Sequence, residues 1–171
     1  QGTLELMSPS YNHERWKRCF YIIFLVLGEE LDIPFFSGGS TTFRREDLEK
    51  GLEPDECYYI QNAGAVAGKK SINLQNDPPP DLAVEIDITS TSLKRLAIYA
   101  ALGVPEIWRF DGSNLVFLKL ADGDYQEIIF SQAIPLLRVL DLQTFLCNFG
   151  GEDDIRFLKN FRLWLMQTLS S

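Results

Sequence analysis

The sequence contains a single histidine, His13, and three cysteines among its 171 residues. One histidine excludes metal sites built from several histidines, and the HExxH motif is absent. The cysteines are far apart and lack a CxxC spacing, so we expect reduced thiols, mostly used for packing, in a cytoplasmic protein. The GxGxxG, GxxxxGK[ST] and GxSxG motifs are also missing, which removes the common nucleotide-binding and serine-nucleophile classes.

Long apolar runs and basic charge are scarce as well. The strongest apolar run, 19–27, is too short for a bilayer, which needs about 20 residues. Lys and Arg number 16 against 24 Asp and Glu, giving a formal net charge of −8. This balance argues against a protein that coats nucleic acid by neutralising many phosphates. A carboxylate-rich metal site can still bring phosphate to one place.

The length predicts one domain, and 46% hydrophobic residues are enough for a core. The chain opens on Gln1 rather than Met, so we expect residues to precede it. The pattern predicts a strand, a helix and a strand at 82–88, 93–103 and 105–110, which favours a parallel, right-handed βαβ unit. We therefore expect an α/β fold with a central mixed β-sheet flanked by helices.

Other segments complete the predicted architecture. We divide the chain into a main domain, 1–149, and a C-terminal amphipathic helix, 150–171, that packs on its own domain or serves oligomerisation. Further predicted elements are a strand at 3–6, a helix start at Ser8-Pro9-Ser10, a helix at 12–31, a strand with a bulge or bend through 35–45, a strand at 56–60, an added β-hairpin at 115–130, and helices at 140–149 and 153–169.

Three carboxylates lie within Pro79–Ile88, which otherwise has the composition of a buried strand. Asp81, Glu85 and Asp87 all occupy odd-numbered positions, so an extended chain directs them to the same face. Carboxylates buried without partners are unfavourable and repel one another, so each needs a cation, a hydrogen-bond donor or water. A divalent metal ion is the simplest common solution.

Plainer interpretations of these acids stay open. If the sheet is covered on one side only, the apolar residues of the strand face the core and the acids face solvent. Asp81 follows three prolines, so it is either a ligand or a residue that fixes the start of the strand. Glu106 follows Pro105, and we expect it to pair with a nearby base.

More candidates for the site are spread along the chain. Asp55 begins a predicted strand, and Glu14 lies early in the first helix, where it is either catalytic or a helix-dipole acid. We expect its neighbour His13 to form hydrogen bonds near the site. Lys94 and Arg95 lie early in the helix after the central strand.

Oxygen ligands of this kind suit Mg or Mn, which bind one or two carboxylates together with water and substrate phosphates. The candidate ligands are Asp55, Glu85 and Asp87. The implied reaction is metal-assisted attack of water on a phosphodiester, in which Lys94 or Arg95 stabilises the charge on phosphate.

The pair Pro54-Asp55, followed by Glu85-Ile86-Asp87, resembles the PD-(D/E)XK nuclease signature. The segments 4–9 with His13-Glu14, 80–86 and 99–108 resemble the Uma-type restriction endonuclease family, which is abundant in cyanobacteria. This resemblance covers nearly the whole chain up to about Phe149. It implies a restriction-endonuclease-like core, Asp55 and Glu85 as metal ligands, and Mg-dependent DNA cleavage.

One position departs from that signature. The superfamily pattern has lysine two residues after the second acid, where this chain has Asp87. Either Arg95 or Lys94 supplies the cation, or catalysis is weakened. We prefer Arg95, because it precedes Tyr99 by four residues, where relatives often have a basic residue. A guanidinium is a poor proton acceptor, so Arg95 would stabilise charge rather than activate water.

The resulting prediction is a Mg-dependent (or Mn-dependent) DNA endonuclease of the cytoplasm, without membrane association. Two-fold cutting of duplex DNA would favour a homodimer. Two alternatives stay open: a catalytically impaired relative that binds DNA or regulates, and a small-molecule phosphoesterase. The catalytic candidates are Asp55, Glu85, Asp87, Arg95, Lys94 and Glu14.

Overall fold

The computed structural model describes residues 10–48, 50–87 and 93–171. The helices are α1 Tyr11–Leu31, α2 Ala63–Val66, α3 Leu93–Leu102, α4 Val139–Phe149 and α5 Asp154–Ser170. The strands are β1 Phe36–Ser37, β2 Phe43–Arg45, β3 Lys50–Leu52, β4 Glu56–Tyr59, β5 Leu82–Ile86, β6 Glu106–Phe110, β7 Leu115–Ala121 and β8 Asp124–Ile128. The predicted strand at 3–6, Ser8-Pro9, Ile88 and the residues 89–92 before α3 lie outside the described residues.

Within the described residues, six strands form one mixed sheet in the order β1-β4-β5-β6-β7-β8. β5 and β6 run parallel, as the βαβ pattern predicts, and every other neighbouring pair is antiparallel. The predicted hairpin forms the β7–β8 end of this sheet, while β2 and β3 form a separate two-stranded sheet. The prediction of an α/β fold with a central mixed sheet is therefore confirmed.

The segment 35–45 is not the single strand with a bulge or bend that the sequence predicts. β1 pairs with β4 whereas β2 pairs with β3, so its two halves belong to different sheets. Gly38 lies close against β4: its N–H donates to the Cys57 carbonyl at 2.9 Å, and a Cβ there would lie 2.5 Å from the Cys57 Sγ. Gly39 then adopts a φ of +52°, which glycine tolerates and which turns the chain away from the main sheet.

Ser10 caps the start of α1, since its hydroxyl accepts a hydrogen bond from the His13 N–H at 3.1 Å. Its apolar residues recur every three or four positions and cover one face of the sheet together with α4 and α5. The buried members of the predicted face are Cys19, Phe20, Ile23, Phe24 and Leu27. This docking brings the first turn of α1 to the sheet residues described below.

α3 covers the opposite face, where Tyr99 and Leu102 pack with Ala83 and Ile107. Every residue of β5 is consequently buried. The alternative of a sheet covered on one side only, with its acids in solvent, is therefore wrong. α3 ends before Gly103, whose φ of +79° is the left-handed cap that the sequence predicts.

The C-terminal helices join the same core. Phe145 of α4 meets Phe157 and Phe161 of α5 edge to face, with ring centroids 5.4 and 5.2 Å apart. α5 also lies along α1, where Arg162 pairs with Glu29. Its inner face thus packs on its own domain, and oligomerisation through the outer face stays a prediction. None of the helices in the described ranges is long and apolar enough to cross a membrane.

Candidate active site

Asp55 and Glu85 face each other at one end of the β4–β5 pair. The antiparallel register aligns Glu56 with Val84, and one further position brings Asp55 opposite Glu85. Opposed residues in such a pair have Cβ atoms about 5 Å apart and point to the same face. The Asp55 Oδ2 also accepts a hydrogen bond from the Ile86 N–H at 2.7 Å. The two acids predicted to share a cation are therefore neighbours.

The first turn of α1 reaches Asp55 through His13. The His13 Nε2 lies 3.1 Å from the Asp55 Oδ1. The other ring nitrogen, Nδ1, is buried, has no hydrogen-bond partner among the residues described, and lies 3.5 Å from the Glu14 Oε1. The structure thus places His13 beside the acids, as the sequence predicts, and places Glu14 next to His13 rather than in contact with Asp55.

Two side chains of α3 form hydrogen bonds with the Glu85 carboxylate. Arg95 donates from Nη2 to Oε1 at 2.7 Å and from Nε to Oε2 at 3.1 Å, and the Tyr99 hydroxyl donates to Oε1. Arg95 and Tyr99 are four residues apart, so they lie on the same face of the helix. Burial raises the pKa of Glu85, and the nearby Asp55 adds to this, whereas the bonds from Arg95 and Tyr99 act to lower it.

Arg95, rather than Lys94, is the base at the acids. Burial acts to lower the pKa of Arg95, but its hydrogen bond to Glu85 and the charge of Glu85 outweigh this, so the pKa is raised and the guanidinium stays charged. Its Nη2 also donates to the Glu53 carbonyl at 2.8 Å. Lys94 is exposed and forms no ion pair or hydrogen bond within the described residues. Of the two cations, Arg95 is the one that contacts Glu85, and its catalytic role stays a prediction.

Asp87 has a base of its own. The Arg109 Nη2 lies 3.2 Å from the Asp87 Oδ2. No hydrogen bond or ion pair in the described part of the chain joins Asp87 to Asp55 or Glu85. In those residues there is likewise no cluster of three or more His, Cys, Asp or Glu side chains arranged to hold a metal ion. Asp87 as a third ligand stays a prediction that has no direct contact behind it.

Asp81 fixes the start of β5. Its Oδ2 accepts hydrogen bonds from the Ile60 N–H at 2.7 Å and the Asn62 N–H at 2.9 Å, and its Oδ1 accepts from the Asn62 Nδ2 at 2.7 Å. These bonds tie β5 to the loop after β4 at the end of the strand opposite to Glu85. Of the two interpretations of Asp81, the structural one is confirmed.

Glu106 pairs with no base in the part of the chain that the structure describes, so that prediction is wrong. Its Oε1 accepts from the Trp108 Nε1 at 2.7 Å, and its Oε2 accepts from the N–H groups of Gln132 and Ala133 at 2.8 and 2.7 Å. Three donors from neutral groups satisfy this buried carboxylate, because a carboxylate accepts at both oxygens. Glu106 thereby anchors the loop before α4 to the sheet.

Lys17 is a residue beside the site that the sequence did not single out. Its Nζ lies 3.5 Å from the Glu14 Oε1 and donates to the Ser40 Oγ at 3.0 Å, while the Ser40 hydroxyl donates to the Asp55 carbonyl at 3.1 Å. Only 16% of the Lys17 side chain is exposed. The spacing of three residues from Glu14 on one helix was the available signal.

Lys17 also faces a buried acid on the α1 side of the sheet. Burial raises the pKa of Glu56, and the charge of Lys17 acts to lower it.

Two further residues that contact the predicted acids were missed for different reasons. Tyr99 follows Arg95 by one helical turn and could have been found from this spacing, whereas the contact of Arg109 with Asp87 depends on the strand register.

The carboxylate oxygens of Asp55 and Glu85 can serve as ligands of a divalent ion. A carboxylate oxygen accepts about two bonds, so each Asp55 oxygen and the Glu85 Oε2 retain one acceptor position beside the contacts above. Mg²⁺ binds through one or two carboxylates and completes its shell with water and phosphate oxygens. The residues present therefore fit a two-carboxylate Mg²⁺ or Mn²⁺ site.

Comparisons with known proteins agree with this assignment of the fold. The family model Uma2, described as "Putative restriction endonuclease", matches residues 1–148. A crystal structure of a "putative nuclease belonging to DUF820" from Anabaena variabilis is similar at a TM-score of 0.52 and 15% identity, covering 93% of this chain and 84% of that one. No curated protein matches significantly.

A second solved structure that is similar to this chain is that of the type IIG restriction endonuclease BpuSI. Its TM-score is 0.46 at 14% identity, and the match covers 99% of this chain but only 18% of that one.

Proposed function

We propose that this chain, which belongs to the Uma2 family, is a Mg²⁺-dependent or Mn²⁺-dependent endonuclease that hydrolyses phosphodiester bonds of DNA. The observation that carries the proposal is the meeting of Asp55 and Glu85 across β4 and β5, with Arg95 beside them. Carboxylates from two strands and an adjacent guanidinium are the groups that metal-assisted phosphodiester hydrolysis needs.

The proposed roles follow from the contacts. Asp55 and Glu85 would hold the ion, which when bound lowers the pKa of water and neutralises charge on phosphate. Arg95 is 36% exposed at its side chain, so it can turn from Glu85 toward a phosphate while staying charged. Tyr99 keeps one Glu85 oxygen fixed meanwhile. Asp87, Glu14 and Lys94 remain candidates of lower rank, because none of them contacts Asp55 or Glu85 within the described residues.

The partner and setting belong to the same proposal. DNA is the proposed substrate, a homodimer would provide two-fold cutting, and the three free cysteines suit the cytoplasm.

A second candidate has one specific observation in its favour. Each of the three acids is already matched with a base: Asp55 with His13, Glu85 with Arg95, and Asp87 with Arg109. A guanidinium bound through two of its nitrogens competes with a metal ion for Glu85, and it cannot act as a proton acceptor. A relative that binds DNA without cutting it would have the same set of contacts.

Plasmid cleavage and calorimetry separate these candidates. We expect supercoiled plasmid to be nicked with Mg²⁺ or Mn²⁺, Asp55→Ala and Glu85→Ala to abolish both nicking and Mn²⁺ binding, and the exposed control Glu127→Ala to change neither. Binding of DNA without nicking and without metal binding would support the impaired relative. Nicking that survives both active-site substitutions would refute the proposal and indicate a contaminant. Turnover of model phosphodiesters without nicking would indicate a small-molecule phosphoesterase.

A further inference from the structure

Both carboxylate oxygens of Asp55 are in contact with groups from other elements. The Ile86 N–H donates to Oδ2 at 2.7 Å, and the His13 Nε2 lies 3.1 Å from Oδ1. The Ile86 donor is a backbone N–H of β5, the strand beside Asp55 in the sheet. The His13 contact is different, because it comes from α1, which packs on the sheet from outside.

α1 also reaches the backbone of Asp55. One turn after His13, Lys17 donates to the Ser40 Oγ, and the Ser40 hydroxyl donates to the Asp55 carbonyl. On the other side of the helix, Arg15 pairs with Asp154 of α5 and donates to the Glu152 carbonyl at 3.1 Å. The first two turns of α1 are therefore anchored both to the site and to the C-terminal helix.

The polar contacts of the His13 ring are made only to acids in the described residues. Its Nε2 meets Asp55, and its buried Nδ1 has no hydrogen-bond partner there. A histidine that served packing alone would be expected to satisfy both nitrogens or leave them in water. The ring instead lies with its Nε2 3.1 Å from the carboxylate that the proposed reaction needs.

We propose that His13 is a positioning residue for the reaction: its Nε2–H donates to the Asp55 Oδ1 and holds that carboxylate in the orientation that binds the divalent ion. The inference rests on the proposed function, since it gives Asp55 the role of a ligand. A partner that orients a ligating carboxylate typically contributes about 10- to 100-fold to metal affinity or activity.

Three substitutions test this role. His13→Leu removes the donor, His13→Gln can return an N–H near the position of Nε2, and Asn12→Ala is the matched control on the exposed side of the same turn. We expect His13→Leu to weaken Mn²⁺ binding in calorimetry by about 10- to 100-fold and to lower kcat for nicking without changing KM for DNA. His13→Gln should recover part of both losses, and Asn12→Ala should resemble the wild type.

Ser40→Ala separates orientation of the carboxylate from general placement of Asp55. It removes the link to the backbone carbonyl and leaves the His13 contact intact. We expect a smaller loss of Mn²⁺ affinity than in His13→Leu. If Ser40→Ala is as damaging as His13→Leu, and His13→Gln recovers nothing, orientation by His13 is refuted. Should His13→Leu fail to fold, His13→Gln compared with Ser40→Ala decides by the same rule.

The single histidine allows a test without activity. At one fixed pH, a long-range proton–nitrogen NMR spectrum contains only the His13 imidazole signals. We expect Nε2 to carry a proton and its shift to change in Asp55→Asn. An Nε2 without a proton, or an Nε2 chemical shift that is unchanged in Asp55→Asn, would overturn the inference.

The two proposals fail separately. If Asp55→Ala leaves Mn²⁺ binding and nicking unchanged, the proposed function is wrong. If Asp55→Ala abolishes both while His13→Leu behaves as the wild type, only the role of His13 is refuted.

Discussion

Replacement of Arg95 by methionine tests how Glu85 is kept in the core. Glu85 is only 7% exposed at its side chain, and Arg95 donates to both of its oxygens. Removing one partner of a buried ion pair typically costs about 3–5 kcal/mol, because the other charge stays buried without a partner. Arg95 is about one third exposed, so water can enter the vacated space and reduce the cost. We expect Arg95→Met to lower the free energy of unfolding by about 2 kcal/mol near pH 8.

The pH dependence of this loss has a definite sign. Burial already raises the pKa of Glu85 above the ordinary 4.5, and without Arg95 it should rise further. An acid whose pKa is raised in the folded state is tolerated when protonated, and it destabilises the fold as pH rises through that raised pKa. The difference in stability between Arg95→Met and the wild type should therefore be smallest toward pH 4.5 and largest above the raised pKa.

Urea denaturation at pH 5.5 and pH 8 measures this difference. Lys94→Met is the matched control, because it removes an exposed cation from the same helical turn. For a chain of this length, 2 kcal/mol also corresponds to a shift in Tm of about 4–8 °C. If Arg95→Met costs no more than Lys94→Met, or costs the same at both pH values, Glu85 does not depend on Arg95 and the reasoning is refuted.

Two further predictions concern packing and thiol reactivity. Gly150→Ala should lower the free energy of unfolding by about 1–3 kcal/mol in urea denaturation, because a Cβ there would collide with the Trp16 indole, whereas Gly151→Ala has open space and should be neutral; equal effects would contradict this packing. Burial raises the pKa of Cys57 to about 12, and Cys19 is buried as well, so a thiol reagent should modify only exposed Cys147 in the native protein. Cys147→Ser should abolish that reaction, and residual labelling would show that a buried thiol is accessible.

Most elements could be predicted because they follow from short-range patterns. The three- and four-residue spacing of apolar side chains locates α1, which begins one residue before the predicted start. The order strand, helix, strand at β5, α3 and β6 leads to the parallel pair. The error at 35–45 arose because β-favouring residues around Gly38-Gly39 do not reveal which strand each half will pair with.

The site was predictable in part. The acids Asp55 and Glu85 could be located from their motif and from the cost of burying charge, and Arg95 from its place one turn before Tyr99. Glu106 is also an acid in a predicted strand, so the sequence suggests a basic partner for it. Its hydrogen-bond donors are instead an indole and two backbone N–H groups, which no local pattern indicates.

The amino-acid sequence by itself determined which segments form helices and strands and which residues are too costly to bury alone, since both depend on side-chain chemistry and short spacings. Only the tertiary structure decided which base meets which acid: His13 with Asp55, and Arg109 with Asp87. The physical reason is that an ion pair or hydrogen bond needs atoms within about 3 Å. Such distances are set by strand register and by how α1 docks on the sheet, and neither is written in the order of neighbouring residues.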